Sequence, residues 1–244
     1  MIKLEHVVLA SPEQMEFIIE GMRNPMNSWE KSDSNCCDID SFGQCRGCDH
    51  PDRCMYYSDF YLGDNDHSLM QRLANAGTDH RKFMRMMPVY VRITAPLYWW
   101  KEFDTYKVGT VANSCSTMHK IQEKEFTLED FSCEHLKNAF DVQIPYSSNI
   151  TSIYHYKEIL KDTIDILNNA RALYLETKDK TFWWQMIQLL PSSYNQTRNV
   201  MMNYEVLANI YKSRRNHKLD EWCELCAWVK TLPYQELITG ETYD

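Results

Sequence analysis

The spacing of apolar residues predicts a chain with many helices. Between Ile153 and Tyr174 apolar side chains recur every three or four residues, the period of one face of an α-helix. Near the start of the chain, Ser11 suits a helix N-cap and Pro12 suits the first helical position. Six shorter patterns predict helices at about residues 12–24, 68–76, 96–103, 182–190, 203–214 and 219–232.

Two segments carry the pattern of β-strands instead. Residues 2–8 and 89–93 alternate between apolar and polar positions and contain Val and Ile, which favour strands. Residues 108–117 are small and polar with little periodicity, and this predicts a loop. Because the sequence shows no internal repeat and no clear linker, we expect one domain over residues 1–244 with a helix-rich C-terminal half.

An irregular segment at about residues 27–63 is rich in Asp, Ser and Cys and predicts an inserted loop or small subdomain. Within it, Cys45 and Cys48 have the spacing of a zinc knuckle, and thiolates with one histidine complete a tetrahedral zinc site. The alternative is a loop with reduced thiols. The candidate ligands are Cys36, Cys37, Cys45, Cys48, His50 and Cys54.

Composition excludes several classes of protein. The net charge of −8 argues against binding of long nucleic acids, because neutralisation of phosphates supplies most of that affinity. No apolar run approaches the roughly 20 residues that span a bilayer, and the N-terminal residues do not resemble a signal peptide. We therefore expect a cytosolic protein, in which nine cysteines do not form a disulfide framework.

Two separated segments contain polar and small residues in a recognisable order and spacing. Gly77 and His80 precede a predicted strand, and the first segment continues with Ala95-Pro96, Tyr106-Lys107 and Thr110. The second segment, from Leu190 to Arg214, contains Leu190-Pro191, Asn203, Asn209 and Arg214. Both segments resemble the signature regions of the flavin-dependent thymidylate synthases.

The resemblance implies an α/β fold in which helices wrap a sheet. It also implies a homotetramer whose flavin and uridylate sites lie between subunits. Members of that family transfer a methylene group from a folate to dUMP, and NADPH reduces their FAD.

The resemblance also implies candidate binding residues. His80, Asn203 and Asn209 match flavin-contact positions, and Arg214 matches a nucleotide-contact position. Lys107 keeps a positive charge where the family has an arginine. The full candidate set for a nucleotide or cofactor is His80, Lys107, Thr110, Asn113, Ser116, Asn203, Asn209 and Arg214.

Several family arginines are missing from this sequence. The Arg-His-Arg centre of the signature reads Thr105-Tyr106-Lys107, and the flavin-contact arginine after Asn203 is Glu205. The family's Ser-x-Arg loop corresponds to residues 113–117, where no arginine is present, and the arginine that usually precedes Leu190-Pro191 is absent. Since arginine binds phosphate bidentately, these changes argue against FAD in its usual pose and leave the catalytic residues unidentified.

Three hypotheses follow. The chain binds a nucleotide-type small molecule without the standard synthase reaction, for example to sequester a nucleotide signal as some phage counter-defence proteins do. Alternatively, it is a divergent FAD-dependent synthase that methylates dUMP to dTMP. The third hypothesis is a structural tetramer with an empty pocket. We favour the first, because concave sites usually persist on a scaffold while chemistry changes.

Other candidate residues have both a functional and a structural interpretation. Cys115 lies in the signature loop and is either a nucleophile or a small loop residue. Cys223 and Cys226 lie in a predicted amphipathic helix, where core thiols are more common than a redox pair. A short basic cluster either contacts phosphates or forms a solvated helix face, and it comprises Arg81, Lys82 and Arg85.

Overall fold

The computed structural model describes residues 2–36, 60–137 and 155–241, and these form a mixed α/β fold. The strands are β1 Lys3–Leu9, β2 Asn35–Cys36, β3 Phe60–Tyr61, β4 Pro88–Pro96, β5 Val111–Ser114 and β6 Asn195–Asn203. The helices are α1 Pro12–Arg23, α2 Asp64–Asn75, α3 Leu97–Phe103, α4 Tyr156–Thr177, α5 Lys180–Leu189, α6 Tyr204–Arg214, α7 Asp220–Val229 and α8 Glu236–Thr239. Short 3₁₀ helices cover Asn24–Met26, Trp29–Lys31, Lys82–Met86 and Leu128–Asp130.

Two antiparallel sheets are present among the described residues. The larger has four strands in the order β1-β4-β6-β5, so β6 is an inner strand. The smaller is the pair β2-β3, in which Asn35 lies opposite Tyr61 and Cys36 lies opposite Phe60. The chain divides into two compact units, and each is described by itself. Unit 1 comprises Met1–Lys3, Ile93–Thr105 and Asn113–Arg198, and unit 2 comprises Leu4–Arg92, Tyr106–Ala112 and Asn199–Asp244.

The core of unit 1 is built on the helical spacing read from the sequence. On α4, Leu160, Ile164, Leu167 and Ala170 are all buried, and they pack on Met186 of α5. These side chains lie on one face of the helix because they are three or four residues apart. The predicted long helix is thus confirmed, and its apolar face forms the core.

The N-terminal helix of unit 2 forms for the reasons expected from its sequence. Ser11 caps α1 by accepting a hydrogen bond from the Gln14 backbone N–H, and the Gln14 side chain accepts one from the Ser11 backbone N–H. Pro12 occupies the start of the helix, where a missing N–H has no cost. Met15, Ile18 and other apolar residues on the inner face are buried.

A buried carboxylate organises the segment before β2. Asp66 of α2 is 0% exposed, and it pairs with Arg23, which is 4% exposed. The same carboxylate accepts hydrogen bonds from the backbone N–H and hydroxyl of Ser34. In return, the Asp33 carboxylate accepts hydrogen bonds from the backbone N–H groups of Asn65 and Asp66 at the start of α2. This two-way network, the Asp33–Asp66 clamp, fixes the chain on both sides of the β2-β3 pair.

The structure corrects two sequence-based expectations. The loop predicted at residues 108–117 contains strand β5, whose four residues are all exposed and therefore show no apolar alternation. Strand β6 was not predicted, because its first half is the polar run Asn195 to Arg198. The described ends of the predicted insertion form 3₁₀ turns and the β2-β3 pair.

The zinc prediction receives no support from the described residues. Cys36 is described, and its backbone N–H donates to Glu16. His50 and the other four candidate cysteines, Cys37, Cys45, Cys48 and Cys54, lie outside the described residues. Within the described part of the chain, no group of three or more His, Cys, Asp or Glu side chains is placed to hold a metal ion. Among the helices described, none is long and apolar enough to cross a membrane.

Candidate functional site

A salt-bridge cluster in unit 2 joins the basic segment to α6. Glu205 accepts hydrogen bonds from Arg81 Nε at 3.3 Å and from Arg85 through Nε and, at 3.2 Å, Nη2. The hydrogen bond from Arg85 outweighs partial burial and, with Arg81, holds the pKa of Glu205 below its usual range. Arg81 also donates to Asn209 Oδ1 at 3.0 Å. Two arginines of the basic cluster therefore bind a carboxylate of the chain itself.

Arg214, at the C-terminal end of α6, lies against two aromatic rings. Its guanidinium is 4.6 Å from the ring centroid of Trp222 and 5.7 Å from that of Tyr106. Its Nε donates to the Tyr106 hydroxyl at 2.9 Å, and Nη1 lies 3.0 Å from His217 Nε2. Tyr106, at the position that the resemblance gives to the signature histidine, thus positions the arginine predicted to contact a nucleotide.

The turn after Lys107 packs tightly against the start of α6. Asn203 caps α6 by accepting a hydrogen bond from the Val206 backbone N–H at 3.0 Å. Gly109 has a φ of +77°, and a Cβ there would lie 3.0 Å from Asn203 Nδ2. Only glycine adopts this backbone conformation without strain. The Thr110 hydroxyl next to it is buried and has no hydrogen-bond partner among the described residues.

The remaining candidates of unit 2 are on its surface. His80, Lys107 and Asn209 are exposed, and Asn209 is engaged by Arg81. Among the predicted residues of this unit, Asn203, Asn209 and Arg214 form hydrogen bonds within the protein. The Thr110 hydroxyl is buried, and His80 and Lys107 are exposed.

In unit 1 the signature loop is fixed by its backbone. The Cys115 N–H donates to the Thr197 carbonyl at 2.9 Å, and the Cys115 carbonyl accepts from Gln196 Nε2 at 2.9 Å. The Ser116 hydroxyl accepts from the His119 backbone N–H at 3.1 Å. Asn113, in β5, is exposed. Both backbone hydrogen-bonding groups of Cys115, the N–H and the carbonyl, are therefore bonded to β6.

Cys115, Ser116 and Thr117 border a polar cavity of about 370 Å³. This volume lies within the range of about 300–1,000 Å³ that is typical of small-molecule sites. The other lining residues, most of them polar or charged, are Lys3, Thr94, Lys124, Glu129, Asp130, Tyr194, Asn195, Gln196 and Thr197. The Asn195 amide oxygen is buried without a hydrogen-bond partner among the described residues.

One wall of the cavity carries a charged pair. Lys124 Nζ lies 2.7 Å from Asp130 Oδ1. Burial alone would raise the pKa of Asp130, but hydrogen bonds from Lys124 and Thr127 outweigh it and hold the pKa below its usual range. Burial raises the pKa of Tyr194 on the same wall. The cavity therefore presents amide and hydroxyl groups, the ammonium groups of two lysines and the carboxylates of Glu129 and Asp130, which suits a polar ligand.

Behind the loop, Arg198 forms a contact network that the sequence analysis missed. Its Nε donates to Gln196 Oε1 at 2.9 Å and its Nη1 lies 2.7 Å from Asp104 Oδ1. The guanidinium also lies 4.2 Å from the ring centroid of Trp100. The signal available in the sequence was Gln196 and Arg198 two residues apart, on one face of a strand.

Of the two cysteines of α7, Cys226 lies in the core and Cys223 is exposed. Cys226 is buried, and burial, followed by the neighbouring Cys223, raises the pKa of its thiol to about 11. A thiol with a raised pKa is a poor nucleophile, because the thiolate is the reactive form. This supports the interpretation of Cys226 as a core residue.

Comparison with known proteins gives a match at the level of structure. No protein-family model matches the sequence, and no curated protein matches it either. A solved flavin-dependent thymidylate synthase, ThyX from Helicobacter pylori complexed with FAD and dUMP, superposes with a TM-score of 0.59 over 98% of this chain and 96% of that chain, at 17% identity. The chain has the fold of the flavin-dependent thymidylate synthases.

A second solved structure shares this thymidylate synthase fold. The UMP/dUMP methylase PolB from Streptomyces cacaoi, bound with 5-Br dUMP, matches with a TM-score of 0.55 at 12% identity, and the match covers 98% of this chain and 95% of that chain. The fold expected from the resemblance is therefore confirmed over nearly the whole chain. The roles of individual side chains stay predictions, because identity this low shows the fold alone.

Proposed function

We propose that this chain binds a uridine-type nucleoside monophosphate and does not run the standard synthase reaction. The observation that carries the proposal is the loop Cys115–Thr117, which is bonded to β6 through the backbone of Cys115 and borders a polar cavity of about 370 Å³. Its place in the sequence is that of the Ser-x-Arg loop of the thymidylate synthases. The similar solved structures hold FAD and dUMP in one case and 5-Br dUMP or 5-Br UMP in the other.

The chemistry of the cavity suits such a ligand. The hydroxyls of Ser116 and Thr117 and the amide of Asn195 are neutral hydrogen-bonding groups suited to a ribose and a base. Lys3 and Lys124 provide positive charge for a phosphate, although Lys124 is paired with an aspartate. The two lysines are balanced by the carboxylates of Glu129 and Asp130, so the lining lacks the excess of positive charge that a polyanion requires, in agreement with the acidic net charge.

The salt-bridge cluster in unit 2 supports the proposal that the chain does not run the standard synthase reaction. At the position of a flavin-contact arginine, the Glu205 carboxylate engages both Arg81 and Arg85. A diphosphate in that place would have to compete with Glu205 for the same guanidinium groups and would meet its negative charge. FAD binding in the usual pose is therefore disfavoured by the chain's own side chains.

The test is the visible absorbance spectrum of the purified protein, followed by binding of dUMP and UMP by titration calorimetry. We expect a colourless protein whose melting temperature rises with dUMP by mass action and which returns the nucleotide intact after denaturation. A yellow protein that releases tritium from dUMP labelled at C5 would instead be a divergent FAD-dependent synthase. A protein that binds neither flavin nor nucleotide would have the structural role.

A more specific version of the proposal is that the chain sequesters a nucleotide signal. It requires tight binding, no turnover and return of the intact ligand. The homotetramer implied by the resemblance stays a prediction, and light scattering of the purified chain tests it.

A further inference from the structure

We propose that Gln196 and Arg198 are positioning residues that hold the loop Cys115–Thr117 in its ligand-binding shape. The inference rests on the proposed function, since it assigns these two side chains a part in the same site. Neither residue was singled out by the resemblance, and both come from the inner strand β6.

The direction of the Gln196 amide is set by Arg198. Arginine only donates hydrogen bonds, so the amide atom 2.9 Å from Arg198 Nε must be the oxygen. The amide nitrogen therefore faces the Cys115 carbonyl, to which it donates at 2.9 Å. The Gln196 backbone carbonyl is engaged as well, by Trp100 Nε1 at 2.9 Å. Both ends of the buried side-chain amide are thus used.

Arg198 in turn has little freedom to move. Its guanidinium lies 4.2 Å from the ring centroid of Trp100 and is paired with Asp104 at 2.7 Å. A planar guanidinium held by an aromatic face and a carboxylate keeps its donors in fixed directions. The chain of contacts from Asp104 through Arg198 and Gln196 ends at the backbone of the loop.

The consequence falls on the residues that follow Cys115. Because the N–H and the carbonyl of Cys115 both bond to β6, Ser116 and Thr117 border the cavity from a fixed starting point. A loop that is ordered before the ligand arrives does not lose that conformational entropy on binding. Loss of the Gln196 bond should therefore weaken ligand binding without removing a group that contacts the ligand.

Two substitutions separate positioning from simple stabilisation. Gln196→Glu keeps the shape and gives Arg198 a charged partner, but at about pH 8 it has no donor for the Cys115 carbonyl. Gln196→Leu removes the donor without adding charge. We expect both variants to bind dUMP about 10-fold more weakly than the wild type. Binding by both variants is measured at a temperature where circular dichroism shows them to be folded.

A second readout reports the loop itself. Cys115 is an exposed free cysteine, so the rate of its alkylation can be followed by peptide mass spectrometry. We expect faster alkylation in both Gln196 variants and protection by dUMP in the wild type. Gln185→Leu on α5, whose side-chain amide bonds only weakly to Thr181 at 3.4 Å, is the matched control and should change neither quantity.

The outcomes are distinct. Weaker binding and faster alkylation in both Gln196 variants, measured while both are folded, support the inference. Wild-type affinity in either variant overturns it, and weakening in Gln196→Glu alone assigns the effect to charge repulsion and overturns it too. If the wild type itself binds neither dUMP nor UMP, the proposed function fails first, and the inference falls with it.

Discussion

At Glu205 a carboxylate stands where the resemblance places an arginine that contacts flavin. The substitution is not isolated, because Arg81 and Arg85 turn towards it and Asn209 shares the hydrogen bonds of Arg81. The glutamate at this single position is therefore part of a cluster of charged and polar side chains. The structure explains how the chain accommodates a charge opposite in sign to that of the family.

We expect Glu205→Gln to lower the free energy of unfolding by about 1 kcal/mol at neutral pH, because an amide binds the two arginines less strongly and Arg85 is half-exposed. The pKa of Glu205 is held below its usual range. Its contribution is thus complete above the ordinary glutamate pKa of about 4.3 and is lost as the pH falls through the lowered value. Urea unfolding at a series of pH values measures this.

The control for that experiment is Glu20→Gln on the exposed side of α1, which should leave stability unchanged. A difference between wild type and Glu205→Gln that persists unchanged into strong acid would show that the cluster does not act through charge.

Gly109 gives a second prediction at this scale. We expect Gly109→Ala to destabilise the protein by about 2 kcal/mol, because the new Cβ meets Asn203 Nδ2 at 3.0 Å and the φ of +77° strains any side chain. Gly77→Ala is the matched control. Gly77 also has a positive φ, of +106°, but a Cβ there would meet nothing within 4 Å. Any loss of stability in Gly77→Ala therefore comes from backbone strain alone. Thermal unfolding of the two variants compares them, and equal losses would exclude a packing contribution at Gly109.

Among the elements, α2 is tied to the chain before β2 by the Asp33–Asp66 clamp. Burial alone would raise the pKa of Asp66, but hydrogen bonds from Ser34, Ser32 and Arg23 outweigh it, and the pKa is held below its usual range. The carboxylate is therefore charged at neutral pH despite its complete burial. Charge inside a protein is stable only when every partner is present.

We expect Asp66→Asn to lower the free energy of unfolding by about 3 kcal/mol or more, because Arg23 keeps its charge in a buried place without a counterion. Since the folded pKa of Asp66 lies below the unfolded one, the lost stability is greatest above the ordinary aspartate pKa and shrinks in acid. Chemical denaturation at neutral and acidic pH measures both effects. Asp162→Asn on the exposed face of α4 is the control, and a loss as small as that of the control would contradict the assignment.

The predictability of each element depended on what its side chains contact. Helix α4 was predicted because its core is apolar and evenly spaced. Strand β6 was missed because Gln196 and Arg198 form polar contacts with the loop and with α3, so the strand shows no simple alternation of apolar residues in that half. The candidate residues on α6 were found only by the resemblance. Asn209 is bonded to Arg81, and Arg214 is bonded to Tyr106. Both partners are distant in the sequence, so no local pattern reveals these contacts.

At the scale of the whole molecule, the thymidylate synthase fold is kept at 17% identity to a solved member. The positions that changed include the charged residues of the signature, while the helices and the sheet remain. This agrees with the general rule that chemistry changes more readily than architecture. The comparison therefore shows the fold, and the ligand and the chemistry of this chain stay proposals.

The β2-β3 pair leads to a prediction for the chain as a whole. Cys36 and Phe60 lie directly opposite each other, so a two-residue Asn-Gly turn can join them in place of residues 37–59. We expect this shortened chain to melt within a few degrees of the wild type, because the Asp33–Asp66 clamp holds both strands from outside the replaced segment. Circular dichroism measures this, and a joining turn of Pro-Pro is the matched control. Loss of the folded state with Asn-Gly would show that residues 37–59 are needed for folding.

Measuring the zinc content of the full chain and of the chain shortened with Asn-Gly tests the candidate ligands Cys37, Cys45, Cys48 and Cys54 together. Metal in the full chain that is absent from the shortened chain would place it in the replaced segment. Equal metal content in both would contradict that assignment.

The short pair of strands has a practical consequence. A segment that leaves and re-enters a protein through two paired residues can be exchanged without a change in the distance that the chain must span. We therefore expect a tag or a foreign peptide inserted between Cys36 and Phe60 to leave the rest of the fold in place.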